Sequence, residues 1–269
     1  MEKKLYALVT TNCNLHCPHC DIRTRPDGYN RDKFIEQVNS FDGRVILFGG
    51  EPTLYQDRLF DIIENNSAKN IASISSNLVV LNDRLVEFYK TLKGLATSWN
   101  PNRFSDEQYQ SWLHNLNTLA ENKLSCAVLI TLTNDLFDLG VDRFIEISKA
   151  WNIDAIGYIK FEYYVGDTTE EYYEQADDFL CELYTKWDSK IRIDNVDIVN
   201  FGYCFDCSNI FNLSPNGEMN LGCPHGYHPK VPIECYSCDK VDKCKPCRLQ
   251  PYCSFPHKFA KLVKENNNV

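Results

Sequence analysis

The sequence predicts an α/β fold: a parallel sheet with helices packed outside it, followed by a cysteine-rich extension. Three observations carry this. Short apolar runs alternate with stretches of helical periodicity six times before about residue 187. No hairpin signal separates them, which favours parallel over antiparallel pairing. Beyond residue 188 the apolar content falls while Cys, Pro, Gly and Asn accumulate.

The elements follow in order. Leu5–Thr10 reads as the first strand, with a cysteine-bearing loop behind it. Arg31–Ser40 has a helical pattern, and Arg44–Phe48 is a buried strand running into Gly49-Gly50-Glu51-Pro52. Tyr55–Asn66 is helical, with Leu59, Ile62 and Ile63 on one face. Ile71–Ser75 is a strand, Asp83–Leu92 a helix and Leu95–Trp99 a strand. Ser105 has the chemistry of an N-cap for a helix running to Asn122. Leu124–Leu132, Val141–Trp151, Ile153–Phe161 and Thr169–Trp187 continue as strand, helix, strand and helix, and Ile191–Val199 alternates like an exposed strand or hairpin arm. Periodicity does not choose between a partly closed barrel and an open doubly wound sheet. In both, reactive groups gather where the βα loops leave the carboxyl ends of the strands. Two regions result, 1–187 and 188–269. The second is too poor in apolar residues for an independent core, and a segment of about 80 residues in that position relies on metal to fold.

Composition narrows the function. The chain has 269 residues, 43% hydrophobic and 24% charged, a globular balance. Thirty-seven acids against 28 bases give a net charge of −9, a poor surface for duplex nucleic acid or an anionic bilayer. No apolar run approaches the length of a transmembrane helix. The apolar stretch after Met1 is too short for a secretory signal and no small-residue cleavage site follows, so a cytoplasmic location is expected. In that reducing compartment thirteen cysteines point to metal or redox chemistry rather than disulfides. Three cluster as Cys13, Cys17 and Cys20; Cys126 and Cys181 stand alone; eight crowd between Cys204 and Cys253.

Cys13-Asn-Leu-His-Cys17-Pro-His-Cys20 places three thiols on one tight loop directly after the first strand. Three thiolates can hold three irons of a [4Fe–4S] cube and leave the fourth open to a small molecule. A zinc ion with His16 or His19 as fourth ligand is the alternative on spacing alone. Gly49-Gly50-Glu51-Pro52 ends the second strand: the glycines permit close backbone approach, and Glu51 offers an acceptor for an ammonium group.

With both motifs in this order, the sequence resembles the radical S-adenosylmethionine (SAM) superfamily, whose signature is CxxxCxxC after strand one and GGE(P) after strand two. The resemblance implies a partial (β/α)6 TIM-like barrel over about residues 1–187. It implies that Cys13, Cys17 and Cys20 ligate a [4Fe–4S] cluster whose unique iron chelates SAM, with Gly49, Gly50, Glu51 and Pro52 at its methionine amino group. The reduced cluster would cleave SAM to methionine and a 5′-deoxyadenosyl radical that abstracts a substrate hydrogen. The residue before the third cysteine, usually aromatic in the family, is His19 here, whose imidazole can stack near the adenine. Ser76 and Asn77 after strand three, and Ser98 and Asn100 at strand four, stand at levels that contact the SAM carboxylate and ribose in relatives. As strand-end residues they are equally ordinary turn and cap formers. Lys160 and Glu162 near the end of strand six would face substrate or form a solvated pair.

The tail resembles the SPASM and twitch extensions of radical SAM enzymes, which carry auxiliary clusters. Cys204, Cys207, Cys223, Cys235, Cys238, Cys244, Cys247 and Cys253 are the eight thiols that two [4Fe–4S] clusters require, and Ser214-Pro-Asn-Gly217-Glu supplies the turn of a Cys…Gly…Cys hairpin. One partition puts Cys204, Cys207, Cys223 and Cys247 on one cluster and Cys235, Cys238, Cys244 and Cys253 on the other. A second register places His257 where the family has cysteine. A structural zinc ribbon is the alternative. Cys126 and Cys181 are candidate hydrogen-atom donors to a substrate radical, or simply buried small hydrophobes.

SPASM-type relatives mostly modify peptides or proteins by crosslinking, epimerisation or oxidation, which makes a peptide the leading expected substrate. A small molecule, sugar or nucleobase is the alternative. With the first strand a few residues after Met1, a leader peptide is expected to need a separate partner or direct recognition by the barrel. The resemblance also implies an electron donor such as flavodoxin or ferredoxin. The contrasting class is a non-catalytic, metal-stabilised interaction module, which would cleave no SAM.

Overall fold

In a computed structural model the described residues are 2–20, 22–163, 169–193, 210–221 and 262. Among them lie eight strands in one sheet: β1 (Lys4–Thr10), β2 (Arg44–Gly49), β3 (Ile71–Ser75), β4 (Gly94–Ser98), β5 (Cys126–Leu132), β6 (Ile156–Tyr163), β7 (Ile210–Leu213) and β8 (Met219–Leu221). Their spatial order is β6-β5-β4-β3-β2-β1-β7-β8. β1 to β6 are parallel, each beside its predecessor in sequence. This is the parallel α/β sheet that the alternation predicts and the partial barrel that the resemblance implies. Crossovers are made by α1 (Arg31–Ser40), α2 (Gln56–Glu64), α3 (Asp83–Lys90), α4 (Asp106–Glu121), α5 (Asn134–Leu139) and α6 (Val141–Ser148), and α7 (Glu170–Lys186) follows β6.

Local chemistry explains where the helices begin. Asn30, Asn82, Thr133 and Thr169 each accept a first-turn backbone N–H through the side chain. Ser105 forms a full capping box with Gln108. Several boundaries differ from the sequence expectation by up to three residues, and one helix was not expected. The helix expected from Tyr55 begins as a 3-10 turn, Pro52–Tyr55, because Pro52 and the Glu51 side chain start it earlier. The strand expected from Ile153 starts at Ile156, after a 3-10 turn capped by Asn152. A helix not anticipated, α5, occupies Asn134–Leu139 and is separated from α6 by Gly140 at φ 77°.

Alternation along the strands sorts the two faces of the sheet. Leu5, Ala7, Val45, Leu47, Ile74, Leu95, Val128, Ile130, Ile159 and Phe161 face the helices in one continuous core. Its centre is aromatic: Phe144, fully buried, meets Trp99, Trp151, Phe161, Phe179 and Trp187 with ring centroids 5.7–6.3 Å apart. The residues between them, such as Tyr6, Phe48, Ser75, Ala96, Ser98 and Leu129, are half-buried on the inner face. Closed barrels fill that face with bulky branched side chains; here small residues of β3 and β4 leave it open.

The tail hairpin belongs to the same sheet. β7 runs parallel to β1, with Lys4 opposite Ile210 and Ala7 opposite Leu213, and β8 returns antiparallel. The predicted turn at Ser214–Gly217 joins them, closed by Ser214 N–H to Glu218 O at 2.9 Å. Of the expected arm Ile191–Val199, only residues 191–193 are described; Ile191 is buried and Ile193 bridges Ile159. Among the described residues, no helix is long and apolar enough to cross a membrane.

Candidate active site at the carboxyl ends of the strands

The loop leaving β1 carries Cys13, Cys17 and Cys20, all half-buried and free. A register irregularity between Leu8 and Thr10 bends the end of β1 into this loop. Leu15 anchors it with a side chain 1% exposed. Leu15 N–H points at Cys13 Sγ at 3.3 Å, and Cys20 N–H donates to Cys17 O at 3.2 Å, closing a turn around the last two thiols. Two neighbours grip Asn14: Asn77 Nδ2 donates to its Oδ1 at 2.6 Å, and Gln108 Nε2 of α4 to its carbonyl at 3.2 Å.

The Gly-Gly-Glu turn after β2 is bonded to the base of this loop. Gly50 N–H donates to Thr10 O and Glu51 N–H to Asn12 O, both at 2.8 Å. A Cβ on Gly49 would stand 2.4 Å from Thr10 O, and one on Gly50 would stand 2.1 Å from Asn12 O. The glycines are therefore required for close approach to the chain's own cysteine loop. A larger residue at either position would push the two motifs apart.

Glu51 is fully buried. One carboxylate oxygen accepts from Thr53 N–H (3.0 Å), Thr53 Oγ1 (2.7 Å) and Ser76 Oγ (2.9 Å), and the other accepts from Asn77 N–H (2.5 Å). Burial pushes its carboxyl group up from the ordinary range, opposed by the Asn77, Thr53 and Ser76 hydrogen bonds. The carboxylate thus ties the ends of β2 and β3 together. A ligand ammonium reaching it would displace one of these donors.

The other strand-end residues divide into two groups. Ser76 and Asn77 are buried beside Glu51 and the cysteine loop, and Asn77 Nδ2 lies 3.9 Å from Cys13 Sγ. His19 is half-buried on the same loop. Ser98 is half-buried at the end of β4, in register with Leu129 and then Lys160. Asn100 instead pairs with β5, donating to Thr131 O at 2.6 Å and accepting from Thr131 N–H at 3.1 Å. Lys160 and Glu162 are on the inner face of β6, their charged groups 3.6 Å apart.

The isolated cysteines lie elsewhere. Cys126 is the first residue of β5, at its amino end, about 20 Å along the strand from Leu132. Its thiol is directed at Ala155 O at 3.4 Å, and burial pushes its pKa up to about 12. Cys181 is half-buried in α7, against the helix-side core. Cys204, Cys207, Cys223, Cys235, Cys238, Cys244, Cys247, Cys253 and His257 lie outside the described residues.

Sequence reading missed Arg103, in the loop after β4. Its Nε is buried without a hydrogen-bond partner. Burial raises the pKa of Cys13 and Cys17, and the Arg103 charge acts on both in the opposite direction. The signal available was a basic residue following a strand end, which is too common to single out.

These residues fit an iron–sulfur group. Three thiols on one loop, with an N–H directed at one sulfur and the Arg103 charge favouring the thiolate form of two of them, suit thiolates bound to separate irons of a cube. Among the described residues no three His, Cys, Asp or Glu side chains converge on one point as ligands of a single ion do; ligands of separate irons need no such convergence.

No protein-family model matches this chain, and no curated protein matches it either. Solved structures do. SuiB from Streptococcus suis bound to S-adenosylmethionine aligns with a TM-score of 0.62 at 16% identity, covering 98% of this chain and 74% of that one. SuiB without that ligand gives 0.61 at 15% identity over the same shares. SuiB bound to precursor peptide SuiA gives 0.57 at 17% identity, covering 98% and 73%. At these identities the likeness is one of architecture: the described strands and helices of this chain share the fold of SuiB.

Proposed function

We propose that this protein is a radical SAM enzyme that modifies a peptide. The observation that carries the reading is the bonding of the Cys13–Cys20 loop to the Gly49–Glu51 turn at the carboxyl ends of adjacent parallel strands. When bound, a [4Fe–4S] cluster and SAM supply the electron and the 5′-deoxyadenosyl radical that abstracts hydrogen. Cys13, Cys17 and Cys20 hold the cluster. Gly49, Gly50 and Glu51 bring the end of β2 against the cysteine loop, where the amino group of SAM is held. Arg103, with its unpartnered Nε, is the cation available to the carboxylate of SAM. Ser98 stands with Ser76 and Asn77 among the residues for SAM, and Lys160 and Glu162 on the inner face meet the substrate. A peptide is favoured because SuiB, which shares the fold, was captured with the precursor peptide SuiA, and because the inner face is open.

The eight tail thiols are proposed to hold two auxiliary [4Fe–4S] clusters that assist electron transfer or substrate binding, a reading supported by their number and spacing. Anaerobic reconstitution tests both assignments. About twelve irons per chain are expected, falling to about eight in a Cys13/Cys17/Cys20→Ala variant. Dithionite and SAM should yield 5′-deoxyadenosine with the native protein and none with the variant. Protein that binds no iron and releases no 5′-deoxyadenosine would refute the proposal.

A further inference from the structure

The cysteine loop leaves β1 at Thr10 and comes back to it at Asp27. Asp27 Oδ2 accepts from Thr10 Oγ1 (2.5 Å), Thr11 N–H (3.3 Å) and Asn12 Nδ2 (3.3 Å). Its Oδ1 accepts from Arg58 Nη1 of α2 at 2.7 Å, and the same nitrogen donates to Val9 O at 2.8 Å. The guanidinium of Arg58 lies 4.0 Å from the ring centre of Tyr29 and 4.9 Å from that of Tyr55. Tyr55 Oη accepts from Asn12 Nδ2 at 2.9 Å. Residues 10–12 are therefore held twice, by the Gly-Gly-Glu backbone and by a carboxylate from the far end of the loop.

This pair is not an ordinary surface ion pair. Its side chains are only 20% and 17% exposed, the carboxylate collects four donors, and the guanidinium is fixed against two rings. An exposed pair with none of these features contributes little. The loop that the pair closes has little regular structure of its own: a single 3-10 turn, Ile22–Thr24, among its described residues. Closing such a loop costs entropy that its own backbone bonds do not recover.

We propose that Asp27 and Arg58 are positioning residues for the three thiols. They clasp the cysteine loop onto β1, which retains the cluster and keeps its open iron accessible to SAM. Neither touches a thiol; they act through the backbone of residues 10–12. The inference rests on the radical SAM reading above.

The test uses the full-length, anaerobically reconstituted protein with Asp27→Asn, Arg58→Lys and Thr10→Val. Two readouts go beyond turnover. One is the change in the electron paramagnetic resonance spectrum of the reduced protein on adding SAM, which reports only a cluster with an open iron. The other is the rate at which a chelator removes that SAM-responsive signal. Asp27→Asn should speed its loss by about tenfold or more, as expected for losing a charge-assisted interaction, with unchanged far-ultraviolet circular dichroism. Thr10→Val removes one donor to Asp27 together with the acceptor of Asn12 N–H at 3.2 Å, and should give a rise in the same direction. The Asp27→Asn/Arg58→Lys double variant should be no worse than the more severe single one, because both break one interaction. Native retention in all variants would overturn the clasp while leaving the radical SAM reading intact. If Asp27→Asn fails to fold, Thr10→Val decides alone. Native protein without any SAM-responsive signal would overturn the reading and the clasp together, before any variant is compared.

Discussion

At the scale of single residues, the site is organised by charges that have left water. Asp27, largely but not wholly removed from water, is one case. Burial opposes its ionisation, but hydrogen bonds from Thr10 and Arg58 and the Arg58 charge outweigh that and hold its carboxyl below the ordinary value of 3.8. The folded chain therefore binds this proton less readily than the unfolded chain. The stabilisation is complete above about pH 4 and is lost as pH falls through the lower folded value. The stability difference between native protein and Asp27→Asn, measured by urea unfolding, should be present at pH 7 and shrink steadily below pH 4. Arg103 has the opposite situation: a guanidinium nitrogen buried with no partner. Arg103→Leu should raise the SAM concentration needed for half-maximal 5′-deoxyadenosine formation by about tenfold, the scale of one charged hydrogen bond, without lowering iron content. An unchanged requirement for SAM would remove Arg103 from the site.

At the scale of elements, the β7–β8 hairpin joins the tail to the barrel at a sensitive place. Its turn meets the start of α1, just beyond the cysteine loop: Asn30 N–H donates to Pro215 O at 2.9 Å. Gly217 has φ 84°, and a Cβ there would lie 2.4 Å from Lys33 Cβ. Gly217→Ala should cost about 1–3 kcal/mol through backbone strain and overpacking combined, read from urea unfolding. Ser105 is a simpler test of local coding. Its capping box with Gln108 starts α4, and Gln108 also holds Asn14 of the cysteine loop. Ser105→Ala should cost about 1 kcal/mol. The cap was legible as a serine before a periodic apolar stretch; the reach of Gln108 to Asn14, 94 residues away, was not.

For the whole molecule, the division of the sheet into two faces separates stability from function. The helix-side face carries the aromatic core around Phe144. Phe144→Ala should lower stability by about 3–5 kcal/mol, measured on the metal-free chain, by removing a fully buried ring that its neighbours cannot replace. The inner face is only half-covered and holds Ser98 on β4 and Lys160 and Glu162 on β6, with β5 between them. A barrel closed by two more strands and filled by branched side chains would leave no such space.

The sequence by itself determined the order and type of the elements, because amphipathic period, N-caps and glycines act over a few residues. It also singled out the cysteine triad and the Gly-Gly-Glu turn, whose spacing is local and whose placement follows from strand ends. It did not anticipate α5, whose six residues are too few for a periodic signal. Tertiary structure alone decided which distant groups meet. Glu51 turns inward to Ser76 and Asn77, Asn100 is taken up by Thr131, Asp27 finds Arg58, and the hairpin turn lands on Asn30. These pairs lie 25 to 185 residues apart, and no local pattern records them. Their partners are set by how parallel strands bring successive βα loops to one edge, where buried polar groups must find each other once water is excluded.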